Sequence, residues 1–240
     1  MIDLAAYKKP ALQFSGGKDS LACLYLLRDQ LDGITVYHVD TGDQCPETAA
    51  VVAQVKEWVP HFATVRSDVG GWRQVNGYPT DLVPARAHML GVAYGMSAFR
   101  LSNRFDCCFA NLMHPLHARM VADGVDAVIR GTKQCDTGRI PAEGPTDYYD
   151  VVLPLRDWSH DDVFAFLERV GAPYNTIYDH YRAVSAPECL GCTAWWDDGK
   201  AAYLRAAHPE QFGVYRANLL KIAGVVSGHM ADLYRELEGD

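Results

Sequence analysis

Short apolar runs alternate along the first two-thirds of the chain with stretches whose apolar positions recur at helical spacing. Ala11–Phe14 predicts a strand that runs into Ser15-Gly-Gly-Lys-Asp-Ser20, and residues 21–31 then carry a helical pattern. Ile34–Val39 is β-branched and aromatic, and predicts a buried strand ending at Asp40-Thr-Gly42. Residues 48–59 suit a helix, 62–65 a strand, 107–123 a helix, 125–129 a strand and 150–153 a short strand. Two stretches rich in Gly and Pro, 70–84 and 141–145, read as loops, the first of them close to a ligand. From Asp157 onward the pattern is mainly helical: Ser159 is placed to cap a helix over 161–170, and 219–237 is amphipathic, suited to packing on the domain or to a homodimer contact.

Strands alternating with helices across short turns predict an α/β fold: a mostly parallel twisted sheet with helices on both faces and a helical C-terminal part. No repeat, low-complexity tract or linker divides the chain, so residues 1–240 read as one domain, with 157–240 as its helical portion. Ligands in such sheets sit at the carboxyl ends of the strands. Three polar clusters, 15–20, 40–48 and 131–139, fall at those ends.

Composition narrows the class without naming a function. Hydrophobic residues make up 49% and charged residues 22%, as in ordinary globular chains. The net charge of −8 argues against a protein whose main task is coating nucleic acid. No apolar run approaches the ~20 residues of a membrane span, and the first residues lack a signal-peptide layout. The expectation is a cytoplasmic protein. Seven scattered cysteines are too few for a disulfide scaffold, but Cys107-Cys108 and Cys189-Leu-Gly-Cys192 stand out as a metal or redox set.

Between a strand and a helix, Ser15-Gly16-Gly17-Lys18-Asp19-Ser20 has the chemistry of an anion cradle. Its glycines allow a tight turn that brings amides close to a phosphate, and the helix N-terminus adds partial positive charge. Lys18 can neutralise phosphate oxygens, and Ser15 and Ser20 bring hydroxyl donors. Leu12 stands where a Walker A loop needs glycine. An ordinary glycine turn is the alternative.

This string resembles the PP-loop of the ATP pyrophosphatase superfamily, an adenine nucleotide alpha hydrolase-like fold. The resemblance implies that the loop grips the pyrophosphate end of ATP, or of another adenosine nucleotide, while a nucleophile attacks the α-phosphorus. It also implies Mg2+, with Asp19 or Asp40 as partners, since hard oxygen ligands suit that ion. Val39-Asp-Thr-Gly42 with Pro46-Glu-Thr48, then Pro154-Leu-Arg-Asp-Trp-Ser159, Pro173-Tyr-Asn175, Tyr178-Asp179 and Cys189-Leu-Gly-Cys192, is similar to the adenylyl-sulfate and phosphoadenylyl-sulfate reductase family. On this resemblance Ser15–Ser20, Asp40, Thr41, Gly42 and Gly131 bind the nucleotide, and Lys18, Asp19, Lys133 and Arg139 serve the chemistry. Cys107, Cys108, Cys189 and Cys192 match the ligands of a [4Fe–4S] cluster beside the nucleotide; structural zinc and simple core packing are the alternatives. Lys133 and Arg139 equally fit a solvated charged loop.

The sequence also departs from that family. No cysteine follows Cys192, where the reductases carry the catalytic thiol that takes the sulfonyl group. Leu112-Met113 stands near the place of the family's Arg-Lys, and Gly131-Thr-Lys-Gln-Cys-Asp136 replaces its Arg-rich stretch. The loop keeps its unmodified form. These departures point to an enzyme that adenylates a substrate with release of pyrophosphate, for sulfur transfer to a small molecule or nucleic acid from a sulfur donor. The second reading is a sulfonucleotide reductase that yields sulfite with a thioredoxin-like reductant, Cys23, Cys45 or Cys135 supplying the thiol. The third is a non-catalytic nucleotide or cluster sensor. His38 reads as a satisfied core histidine, and Trp195 and Trp196 as core or interface packing.

Overall fold

The computed structural model describes residues 4–137, 142–181 and 186–239. They gather into two compact units, the described parts of Met1–Asp40, Gln44–Ser67 and His114–Glu188 in the first, and of Thr41–Asp43, Asp68–Met113 and Cys189–Asp240 in the second. No shift of composition marks this division, which is why the pattern alone reads as one domain. In chain order the strands are β1 (Pro10–Gln13), β2 (Thr35–Asp40), β3 (Phe62–Arg66), β4 (Tyr78–Thr80), β5 (Leu101–Asn103), β6 (Ala127–Ile129) and β7 (Asp150–Val152).

The first unit is built on a five-stranded sheet of order β3-β2-β1-β6-β7, with every neighbouring pair parallel. Side chains alternate across it, as strand geometry requires. Leu12, Phe14, Val36 and Ile129 face the helices Lys18–Leu26, Pro46–Lys56 and His160–Arg169 through Leu21, Leu24, Val51, Val55 and Val163. Ala11, Tyr37, Val128 and Val151 face the opposite side, where Met120 of the helix His114–Ala122 covers them. Both faces are thus buried, and the strands are accordingly near-continuous apolar runs. The chain leaves β1 for β2 on one side and returns to β6 on the other. That reversal opens a crevice at the carboxyl end of β1, the place where open α/β sheets take ligands.

The second unit holds the two-stranded parallel ribbon β4-β5 and a long helix, Pro209–Glu238. Leu219, Ile222, Val225 and Val226 of that helix pack with Leu101 and Ala87, whereas Leu233, Tyr234 and Leu237 stay exposed. The loop expected over Gly70–Pro84 is instead a helix, Val69–Asn76, followed by β4. Its two glycines are offset by a cap: the Asp68 carboxylate accepts the Gly71 N–H at 2.8 Å. The helix ends at Gly77, whose φ of +88° and approach to the Arg100 backbone leave no room for a side chain. Trp195 and Trp196 are about 40% exposed rather than core residues, and the Arg104 guanidinium lies 3.7 Å from the Trp195 ring centroid. No helix among the described residues is long and apolar enough to cross a membrane.

Candidate active site

The loop after β1 is shaped by its own side chains before any ligand arrives. Gly16 has φ of +85°, and a Cβ there would lie 2.7 Å from Val52 Cγ2 and 2.8 Å from Thr48 Cγ2. Conformation and space therefore both demand glycine. Gly17 N–H donates to Ser15 Oγ at 3.2 Å, Ser15 N–H to Ser20 Oγ at 3.2 Å, and Ser20 Oγ to the Gly17 carbonyl at 3.0 Å. Asn175 Nδ2 reaches the Gly16 carbonyl at 3.2 Å and Thr48 Oγ1 at 3.0 Å. The Tyr178 hydroxyl accepts the Lys18 N–H at 2.9 Å. The sequence signals Asn175 and Tyr178 through the Pro173-Tyr-Asn175 and Tyr178-Asp179 strings, which do not by themselves mark either residue as part of the loop's site.

Charge is concentrated at the same point. Lys18 is 2% exposed and its Nζ lies 3.0 Å from Asp19 Oδ2. Lys133 is fully buried, with Nζ 2.6 Å from Asp19 Oδ1 and 3.0 Å from Asp136 Oδ1. Burial alone would push the Lys133 pKa down, but Asp19 and Asp136 outweigh it and hold the ammonium above its ordinary value. Gly131 lets the end of β6 press against the start of the Lys18–Leu26 helix, since a Cβ there would meet the Asp19 backbone at 2.7 Å. Two lysines and two aspartates thus form a balanced cluster over the helix N-terminus. A small cavity of about 90 Å3 opens onto it, lined by Ser15, Gly17, Asp19, Ser20, Thr48 and Tyr178 among others. A larger cleft of about 480 Å3, a volume typical of ligand pockets, lies along Lys18, Leu21, Phe164 and Tyr178.

Of the residues expected to act together, 15–20, Gly131 and Lys133 meet here. Asp40 ends β2, and its carbonyl accepts the Ser67 N–H at 2.9 Å. Thr41 and Gly42 belong to the second unit. Arg139 lies outside the described residues. His38 is the buried, satisfied histidine its strand position suggests: Nδ1 lies 2.9 Å from the Phe14 carbonyl, and burial lowers its pKa.

In the second unit, Cys107, Cys189 and Cys192 share an apolar cluster with Val69 and Trp72, and Cys108 adjoins Cys107 on the helix Arg104–Cys108. Burial pushes the Cys189 thiol up to about 12 and raises Cys107 as well, against the pull of Arg73. Thr41 Oγ1 lies 3.7 Å from Cys189 Sγ, and Asn111 Nδ2 3.8 Å from Cys107 Sγ. Lys200 Nζ ties the Cys-x-x-Cys turn through the carbonyls of Cys189 (2.7 Å) and Cys192 (2.9 Å). Asp43 anchors it from the other side, accepting the Gly191 N–H and pairing with Arg73. Cys107 and Cys189 are buried with Arg73 and polar donors turned toward them, and with the partly exposed Cys192 beside them they offer a soft donor set of the kind that holds a metal as thiolates. Among the described residues, no three cysteine sulfurs gather within 4.8 Å of one another. No sequence signal points to Arg73, because its segment reads as loop.

A model of the phosphoadenosine phosphosulfate reductase domain matches residues 9–194, most of the chain and every element described above up to the Cys-x-x-Cys turn. The chain belongs to that family. Two curated relatives are similar to it, each named adenosine 5'-phosphosulfate reductase. The protein of Neisseria meningitidis serogroup B is 26% identical over 190 residues, covering 70% of this chain and 69% of the relative. That of Allochromatium vinosum is 22% identical over 218 residues, covering 84% and 76%. Among solved structures, phosphoadenylyl-sulfate reductase from Candida auris, in a phosphate complex, superposes with a TM-score of 0.52 at 16% identity, covering 71% of this chain and 76% of that one. The likeness confirms the fold: a mostly parallel sheet covered on both sides, with a helical C-terminal part.

Proposed function

We propose that this member of the family is a sulfonucleotide enzyme of the reductase kind, which binds an adenosine phosphosulfate and releases its sulfonyl group as sulfite. The observation that carries the reading is the Lys18–Asp19–Lys133–Asp136 cluster at a glycine turn and helix N-terminus. Its support from relatives is that both curated proteins, matched over most of their length, are named for adenosine 5'-phosphosulfate. An arriving phosphate competes with Asp19 for the two ammonium groups, and the amides now satisfied by Ser15 and Tyr178 can turn to its oxygens. Lys18 and Lys133 then neutralise charge on the departing nucleotide phosphate, which is where it grows as the sulfur–oxygen bond breaks. Because both ammonium groups are already fixed, little reorganisation is needed when that charge develops. A [4Fe–4S] cluster held by Cys107, Cys108, Cys189 and Cys192 would supply a charged, redox-capable group. Electrons for sulfite release come from a dithiol partner of the thioredoxin kind.

One observation favours a second reading. The loop keeps the Ser-Gly-Gly-Lys-Asp-Ser form, which suits adenylation of an acceptor by ATP with Mg2+ and loss of pyrophosphate. Anaerobic incubation with each nucleotide separates the two. AMP with sulfite from adenosine 5'-phosphosulfate and a dithiol supports reduction. AMP with pyrophosphate from ATP, and no sulfite, replaces it with adenylation. Tight binding of either nucleotide without product leaves the non-catalytic sensor.

A further inference from the structure

A buried donor in the cysteine pocket of the second unit lacks an acceptor. Arg73 lies on the helix Val69–Asn76, and its side chain keeps only 11% of its surface. Nη1 donates to Asp43 Oδ2, on the same carboxylate that accepts the Gly191 N–H of the Cys-x-x-Cys turn. That shared carboxylate fixes the guanidinium against the turn. The approach is close: a Cβ on Gly191 would lie 3.1 Å from Arg73 Nη1.

The charge so placed acts on the sulfurs around it. Burial raises the Cys107 and Cys189 thiols, and Arg73 is the largest influence against it in both. Burial in turn opposes the charge on Arg73, and Asp43, Cys189 and Cys192 outweigh it. Arg73 Nε is nevertheless buried without a hydrogen-bond partner. Other polar groups of the pocket are engaged. Lys200 Nζ donates to the carbonyls of Cys189 and Cys192, while Thr41 Oγ1 and Asn111 Nδ2 each lie against one cysteine sulfur. A buried N–H donor on a charged group is seldom without an acceptor in a native structure, because its desolvation then goes uncompensated. The pocket around Arg73 therefore asks for an acceptor that is anionic and lies among the cysteines.

We propose that Arg73 is a positioning residue for the metal centre of Cys107, Cys108, Cys189 and Cys192, with its Nε–H donating to a sulfur of that centre. The inference rests on the cluster reading above and adds a residue outside the ligand set. Thiolates that bind a metal carry negative charge into a buried pocket, and Arg73 balances part of it. Hydrogen bonds to the ligand sulfurs are also the means by which a protein holds such a group and tunes it. Asp43 has the supporting part: by taking one side of the guanidinium fork it orients the plane and leaves Nε to the sulfurs.

The test uses the full chain, purified anaerobically, as wild type, Arg73→Met, Arg73→Lys and Asp43→Asn. On each protein, the rate at which a ferrous chelator strips iron is read together with the thermal unfolding midpoint of the iron-free form. Arg73→Met is expected to release iron at least about tenfold faster than wild type, in line with the affinity lost when an outer-shell partner of a metal ligand is removed. Arg73→Lys, which keeps the charge without the fork, is expected to fall between the two. Asp43→Asn is expected to stay near the wild-type rate, since its side-chain oxygen still accepts the Gly191 N–H. The iron-free midpoints of Arg73→Met and Asp43→Asn are expected to fall alike, because each breaks the same ion pair. Release that is equally fast in Asp43→Asn and Arg73→Met reduces Arg73 to an anchor of the turn and overturns the assignment. Wild-type iron retention in Arg73→Met overturns it as well, and both results leave the cluster reading standing. A wild type that carries neither iron nor sulfide overturns the cluster reading, and this assignment with it. Should Arg73→Met fail to fold, Arg73→Lys against Asp43→Asn decides the question: release no faster in the lysine variant overturns the assignment.

Discussion

Lys133→Met is the substitution whose outcome follows most directly from the geometry. Methionine keeps most of the length and apolar stem of the lysine but removes the charge shared by Asp19 and Asp136. Lys133 has no exposed side-chain surface, whereas each of the two aspartates keeps 20%. Removing one partner of a buried pair costs about 3–5 kcal/mol. Water reaching the two aspartates recovers part of that, so the expected loss is ~2–3 kcal/mol. At about 2–4 °C per kcal/mol for a chain of this size, the midpoint of thermal unfolding should fall by ~4–12 °C. Circular dichroism on wild type, Lys133→Met, Asp19→Asn and the double variant measures both the loss and the coupling. The pH dependence has a definite sign. The folded pKa of Lys133 is raised, so its contribution is complete below the unfolded value of about 10.4 and disappears as pH rises through the folded value. The gap between wild type and Lys133→Met should be flat from neutral pH to mildly alkaline pH and close above that. A midpoint unchanged by the substitution, with no coupling to Asp19, would refute the reasoning.

Other outcomes follow from single contacts. Gly16→Ala should cost about 1–3 kcal/mol in urea unfolding and abolish nucleotide binding, because the left-handed turn and the Val52 contact both oppose a Cβ. Tyr37, held at about 12 first by burial and then by its hydrogen bond to Asp123, stabilises the fold below pH ~10 and loses that contribution as pH rises toward the folded value. Tyr37→Phe should therefore show a shallower alkaline fall in stability than the wild type. Anaerobically purified protein should carry about four iron atoms per chain, and Cys189→Ala should lower iron and sulfide together. Zinc without sulfide would point to the wrong metal.

Much of this was readable from residues alone. β1, β2, β3, β6 and β7 follow apolar runs because parallel strands buried on both faces cannot hide their composition. The phosphate loop was legible because its glycines are bounded by a strand and a helix. Local pattern failed at 70–84, where a cap from Asp68 and packing of Val69 and Trp72 override the glycines. It also missed what is assembled from distant segments. Tyr178 meets Lys18 across 160 positions, and Arg73 joins the cysteines from a segment that looked like loop. In the sequence Lys133 fits the chemistry or a solvated charged loop, and Cys135 is one candidate thiol among three. That one is buried and the other exposed beside His160 is a tertiary fact that no spacing in the sequence encodes.

The central claim is that the 15–20 loop, with Lys18 and Lys133 behind it, holds the phosphate of an adenosine phosphosulfate. Calorimetric titration of adenosine 5'-phosphosulfate into wild type and Lys18→Ala tests it most directly. Lys18 lies within the loop and is almost wholly shielded from solvent, so affinity should fall at least about tenfold, consistent with loss of one charge-assisted contact. Equal affinity for the two proteins would contradict the account.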